Sequence, residues 1–180
     1  MRFSLRAAIV ACAISFIPST SATVDCNLTS FGDFFVNSVA TKSLPKWMFP
    51  RNIVDPLERN ELGWLYRGSL SETTFTATKH SEGEYAYIIQ LKGEAGQKLE
   101  KNEFTIHGGK NGSPFMVHCE SCSTGAQQNQ VAGKTCSIET ATSEGKGDGQ
   151  CVVFAGPGVV VLVPCGTSPH RLMKVDIIKA

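Results

Sequence analysis

Apolar and polar residues alternate differently in three parts of this chain. At the start, Arg2 and Arg6 lead into a largely apolar run from Ala7 to Ile17, broken at Pro18 and followed by the small residues Ser19-Thr20-Ser21-Ala22. That run is well short of the roughly 20 residues that cross a bilayer. Basic start, short apolar stretch and small-residue end together predict a cleavable export signal over residues 1–22, cut after Ala22. The longest later apolar stretch, Val159 to Val163, is strand-sized, so no membrane insertion is expected.

Residues 23–70 follow neither a helical nor a strand period. Pro45, Pro50 and Pro56 interrupt regular structure and push the residues before them toward extended or turn geometry. One helix start stands out: Asp55 suits the N-cap, Pro56 the first helical position and Glu58 the reciprocal capping position, with Gly63 ending the helix after about two turns. This stretch reads as an irregular N-terminal arm packed on the remainder.

From residue 70 the period becomes two. Phe75 and Ala77 share one face of Thr73–Lys79, and Tyr85, Tyr87, Ile89 and Leu91 share one face of the next run. Phe104 to His107 and Phe115 to Cys119 are expected to pair across Asn111-Gly112. Residues 123–150 are polar and glycine-rich and read as two surface loops pinned by Cys136, before strands at 151–154, 159–163 and 172–178. The sum is a mainly β domain over residues 23–180, with 71–180 as its sheet core. A disulfide-braced antiparallel β-sandwich with one short helix is expected, and a partly open β-barrel is the alternative.

Charge narrows the function classes. The chain holds 17 basic and 16 acidic residues, and loss of Arg2 and Arg6 leaves 15 against 16. A near-neutral protein lacks the basic footprint of a nucleic-acid binder. Lys98 and Lys101 alternate with Glu100 and Glu103, which reads as a solvated face.

The cysteine count changes the picture more. Cys12 leaves with the signal, and Cys26, Cys119, Cys122, Cys136, Cys151 and Cys165 remain, an even number in an exported chain. Each native bridge typically stabilises by about 2–4 kcal/mol. Cys26 stands far from the other five, so its bridge ties the arm to the C-terminal half. The favoured set is Cys26–Cys165, Cys122–Cys136 and Cys119–Cys151. A hairpin at Gly156-Pro157-Gly158 would instead place Cys151 opposite Cys165.

Candidate chemistry is sparse. Cys119-Glu120-Ser121-Cys122 has redox spacing, but no amphipathic helix follows to lower a thiol pKa, and a zinc site would need further free ligands. His80-Ser81-Glu82-Gly83-Glu84 places an imidazole near carboxylates within an ordinary turn. No Gly-x-Ser-x-Gly elbow is present, and neither glycine-rich turn has phosphate-loop spacing. Val152-Val153-Phe154 resembles one strand of the small secreted guanyl-specific ribonucleases, yet Gln150-Cys151 stands where that family has arginine. No catalytic residue, metal or cofactor is assigned. Asn27 and Asn111 begin N-glycosylation sequons, Asn111 in the more open turn. Trp47, Met48 and Phe49, between Lys46 and Arg51, are candidate binding anchors, with an end-plug of the core as the plainer role.

In signal, size and six mature cysteines the chain resembles the small secreted cysteine-rich proteins of filamentous fungi, host-directed virulence effectors among them. The resemblance implies an extracellular, monomeric, non-enzymatic binding protein acting outside the producing cell or on a host, with a host protein or cell-wall carbohydrate as partner. The alternative is a secreted hydrolase acting on cell-wall carbohydrate or RNA.

Overall fold

The computed structural model describes residues 23–39, 46–48, 63–65, 73–93, 97–154, 160–167 and 174–180. In chain order the strands are β1 Val24–Asp25, β2 Phe34–Ser38, β3 Lys46–Met48, β4 Gly63–Leu65, β5 Phe75–Lys79, β6 Ala86–Leu91 and β7 Lys98–Lys101. They continue with β8 Ile106–Gly109, β9 Pro114–Cys119, β10 Ser121–Cys122, β11 Val131–Ala141, β12 Gly147–Phe154, β13 Val160–Pro164 and β14 Val175–Lys179. A 3-10 turn, Leu28–Phe31, joins β1 to β2, with the Asn27 side chain accepting from the Thr29 amide at its start.

Six strands form a closed ring. β2 pairs β5, β5 pairs β6, β6 pairs β9, β9 pairs β11, β11 pairs β14 and β14 returns to β2, every contact antiparallel. The pairing follows the barrel alternative and not the two open sheets of a sandwich. Closure satisfies the backbone groups that an edge strand would leave open.

The period-two pattern explains the interior. Tyr87 lies opposite Phe115, Ala77 opposite Ile89, Val117 opposite Ile138, and Val36 opposite Ile177, all of them buried. Phe34 and Phe75 stack with centroids 6.1 Å apart. These side chains fill the narrow space that six strands enclose.

The remaining strands extend the wall. β7 and β8 continue from β6, β12 and β13 continue from β11, and a bridge between Thr105 and Val161 joins the two extensions. Leu99, Ile106, Val152, Val160 and Leu162 are buried between them and belong to the same core.

Two expectations need correction. Residues 123–150 are not two loops, because β11, eleven residues long, runs through them as a central strand. Apart from Ile138 its buried positions are small or polar (Ala132, Gly133, Cys136, Thr140, Ala141), so the alternation hides in a polar-looking sequence. β8 does not pair with β9. The Glu100 carboxylate accepts the amides of Asn111 and Gly112, and Ser113 donates to the Leu99 carbonyl, which folds this turn back onto β7. Lys101 and Glu103 are exposed, as the charge alternation predicts, while Lys101 also pairs with Asp148.

Within the expected irregular arm, Lys46–Met48 forms a strand whose Trp47 lies in register with Trp64. The helix expected at Asp55, the anchor Phe49, the signal and the Gly156-Pro157-Gly158 turn lie outside the described residues.

Among the described residues three disulfides form: Cys26–Cys122, Cys119–Cys136 and Cys151–Cys165. None of the favoured pairings forms. The β12–β13 hairpin places Gln150 opposite Pro164 and Cys151 opposite Val163, which brings Cys165 to Cys151 and leaves Cys26 for β10.

Candidate binding cleft

One strand of the barrel changes neighbour along its length. β9 pairs with β6 through Pro114, Phe115 and Met116, then with β1 through His118 and Cys119. Where β6 leaves and β1 takes over, the wall opens into a cleft of about 480 Å³. Asp25, Asn27 and Thr29 form one lip, on β1 and the 3-10 turn. Lys79, Glu84 and Tyr85 form the opposite lip, around the β5–β6 turn. Tyr87, Cys122 and Thr124 complete the lining.

The two tyrosines play different parts. Tyr87 is 2% exposed and anchors the cleft to the core. Burial raises its phenol above the ordinary tyrosine range, while a hydrogen bond with the Leu28 backbone pulls the other way. Tyr85 is part-buried against the edge of the core. Its hydroxyl bonds the Glu84 carboxylate, and that bond and the adjoining negative charge hold the phenol above its usual range.

A polar chain runs outward from the cleft across the barrel wall. Asp25 Oδ1 lies 2.5 Å from His118 Nδ1, and His118 Nε2 lies 3.4 Å from Glu139 Oε2. Glu139 Oε1 accepts the Gly149 amide at 2.8 Å. The chain links β1, β9, β11 and the start of β12. A carboxylate faces each ring nitrogen of His118, unlike a triad histidine, whose second nitrogen faces the nucleophile. This arrangement clamps strands together.

The sequence-level candidates are dispersed. Asn27 lies in the cleft and is exposed, but its Oδ1 is engaged by the Thr29 amide and hydroxyl. Asn111 is exposed on a separate turn organised by Glu100, whose carboxyl the Gly112 and Asn111 amides hold below the usual range. His80 Nδ1 lies 3.0 Å from the Glu82 carbonyl oxygen and 3.2 Å from its amide nitrogen, a turn contact. Trp47 and Met48 belong to β3, which contributes no residue to the cleft lining.

Cys26, Cys119 and Cys122 converge, with their Sγ atoms within 4.8 Å of one another. Committed to disulfides, they present no thiolate to a metal. Asn27, Glu84 and Cys122 stand out in the sequence for other reasons, but nothing local joins them to Asp25, Thr29, Lys79, Tyr85, Tyr87 and Thr124, because the lining comes from separated segments. Glu84 and Tyr85, at the turn before a run of period-two apolar residues, carry a local cue.

Among the described residues no helix is long and apolar enough to cross a membrane. No family model, curated protein or solved structure matches the chain.

Proposed function

We propose that this is a secreted, non-enzymatic binding protein, acting outside the producing cell or on a host, which takes a hydroxyl-rich ligand of the cell-wall carbohydrate class in the cleft between β1 and the β5–β6 turn. The composition of the two lips carries this reading. Asp25, Glu84 and the Thr29 hydroxyl oxygen offer acceptors, Lys79 and the Asn27 amide nitrogen offer donors, Thr124 offers both, and Tyr85 offers an aromatic surface among them. Sugars present alternating hydroxyls and apolar C–H faces, which such a lining complements.

The hydrolase alternative is less well supported. Glycoside hydrolysis requires a carboxylic acid kept protonated in an apolar setting beside a second carboxylate. Here Asp25 is engaged by His118, and Glu84 is exposed and bonded to Tyr85.

Titration of the isotope-labelled secreted protein with soluble glucan and chitin oligosaccharides tests the reading by NMR. Shifts are expected at Asn27, Thr29, Tyr85 and Thr124 amides, should disappear in Tyr85→Ala, and should leave the oligosaccharide uncut. Absence of shifts at millimolar oligosaccharide rejects the ligand class. Shortened products would instead establish a hydrolase.

A further inference from the structure

The Cys119-Glu120-Ser121-Cys122 pair is not bonded within itself: Cys119 joins Cys136 on β11, and Cys122 joins Cys26 beside β1. Two disulfides therefore lie side by side, with three of their four sulfurs inside one 4.8 Å cluster. We propose that Cys26, Cys119, Cys122 and Cys136 form a thiol–disulfide exchange unit, entered through the cleft by a low-molecular-weight thiol that is captured on Cys122.

Accessibility gives the order of events. Cys122 is part-buried and lines the cleft, whereas Cys26, Cys119 and Cys136 are fully buried. An incoming thiolate bonds to Cys122 Sγ, the Cys26–Cys122 bond breaks, and the electron pair leaves on Cys26 Sγ. That sulfur is already beside Cys119. Asp25 and His118 face each other across β1 and β9 on the outer surface, so their successors Cys26 and Cys119 both turn inward.

In the second step Cys26 Sγ bonds to Cys119 Sγ, the Cys119–Cys136 bond breaks, and Cys136 leaves as a thiolate that takes a proton. One external thiol enters as a mixed disulfide on Cys122 and one protein thiol appears at Cys136. The number of disulfides is unchanged, and no separate oxidant is needed. Gly133 leaves the space this exchange uses, since a Cβ there would lie 2.9 Å from Cys136 Sγ and 3.1 Å from Cys119 Sγ. The third disulfide supplies a control. Cys165 is exposed, but Cys151–Cys165 belongs to no such cluster among the described residues.

The test treats the intact oxidised protein with glutathione at mildly alkaline pH, quenches with acid, alkylates and maps peptides without reduction. The expected products are glutathione on Cys122, a linked Cys26–Cys119 peptide and the alkyl label on Cys136. A label on Cys26 with Cys119–Cys136 intact, or no adduct on Cys122, overturns the proposal. A Cys122→Ser variant provides a second readout without external thiol. Its unpaired cysteine should distribute, so that the label divides between Cys26 and Cys136, and a label confined to Cys26 rejects the exchange. Should that variant fail to fold, the wild-type map decides alone.

Discussion

Gly83 and Gly145 meet backbone to backbone across two turns. A Cβ built on Gly83 would lie 2.5 Å from the Gly145 carbonyl oxygen, and one on Gly145 would lie 2.2 Å from the Glu82 carbonyl oxygen. Both glycines have positive φ, +83° and +72°, which side chains disfavour. The contact joins the β5–β6 turn, which carries Glu84 and Tyr85, to the β11–β12 turn. Gly83→Ala and Gly145→Ala should each lower stability by about 1–3 kcal/mol, the usual cost of overpacking. The double variant should cost less than the sum, since the same contact is broken once. Urea denaturation of the three variants checks this.

Gly133 is constrained by sulfur instead of backbone. In Gly133→Ala the new methyl group would press on Cys119–Cys136 and approach Ile177, with a loss of about 1–3 kcal/mol. In a Cys119→Ala/Cys136→Ala background that loss should shrink, because the smaller side chains vacate the space. Thermal melts of the four proteins measure the coupling.

Thr135 should behave in the opposite way. It is a β-branched residue at φ 52°, held at an irregularity in β11 by its amide donating to Asp176 Oδ1 at 2.8 Å. Asparagine tolerates this conformation better than threonine. Thr135→Asn should therefore stabilise by about 0.5–1 kcal/mol, raising the melting midpoint by roughly 1–4 °C for a chain of this size. Thr135→Gly should change stability little, because the relief of strain is offset by the greater freedom of the unfolded chain. Calorimetry distinguishes the two.

Asp148 links stability to acid. Burial pushes its carboxyl upward, but Lys101, the Thr140 hydroxyl and the Gln150 amide outweigh burial and bring it below the ordinary range. The unfolded chain then binds the proton first, at a pKa of about 3.9. The stabilisation from Asp148 is fully present above that pH and is lost as pH falls through the lower folded value. Asp148→Asn should be less stable at neutral pH and should show a shallower loss as pH falls below about 4. Glu100 shifts in the same direction and preserves part of the slope. Denaturant midpoints across this pH range give the answer.

The sequence was most legible where one residue in two is large and apolar. Phe75 and Ala77, and then Tyr87, Ile89 and Leu91, face the interior as their alternation predicts. β11 was illegible because its core residues Ala132 and Cys136 are small and its buried Thr140 is polar, and composition alone makes such a strand look like loop. Disulfide pairing depended on which strands become neighbours, and Cys26 reaches Cys122 only because β1 takes up the end of β9. The cleft arises from the same change of neighbour, a tertiary event that leaves no local trace at Asp25 or Lys79.

The span between Cys26 and Cys122 also bears on how the chain is made. Their separation is 96 residues, against 17 and 14 for the other two bridges. At about 5–20 residues per second of synthesis, Cys26 emerges roughly 5–20 s before its partner exists. Cys119 arrives three positions earlier than Cys122 and is the first inward-facing cysteine that β1 can meet on β9. Only when Cys136 follows can Cys119 take its final partner. Nascent chains trapped by alkylation should therefore hold Cys26 first as a free thiol, then bonded to Cys119, and only last to Cys122.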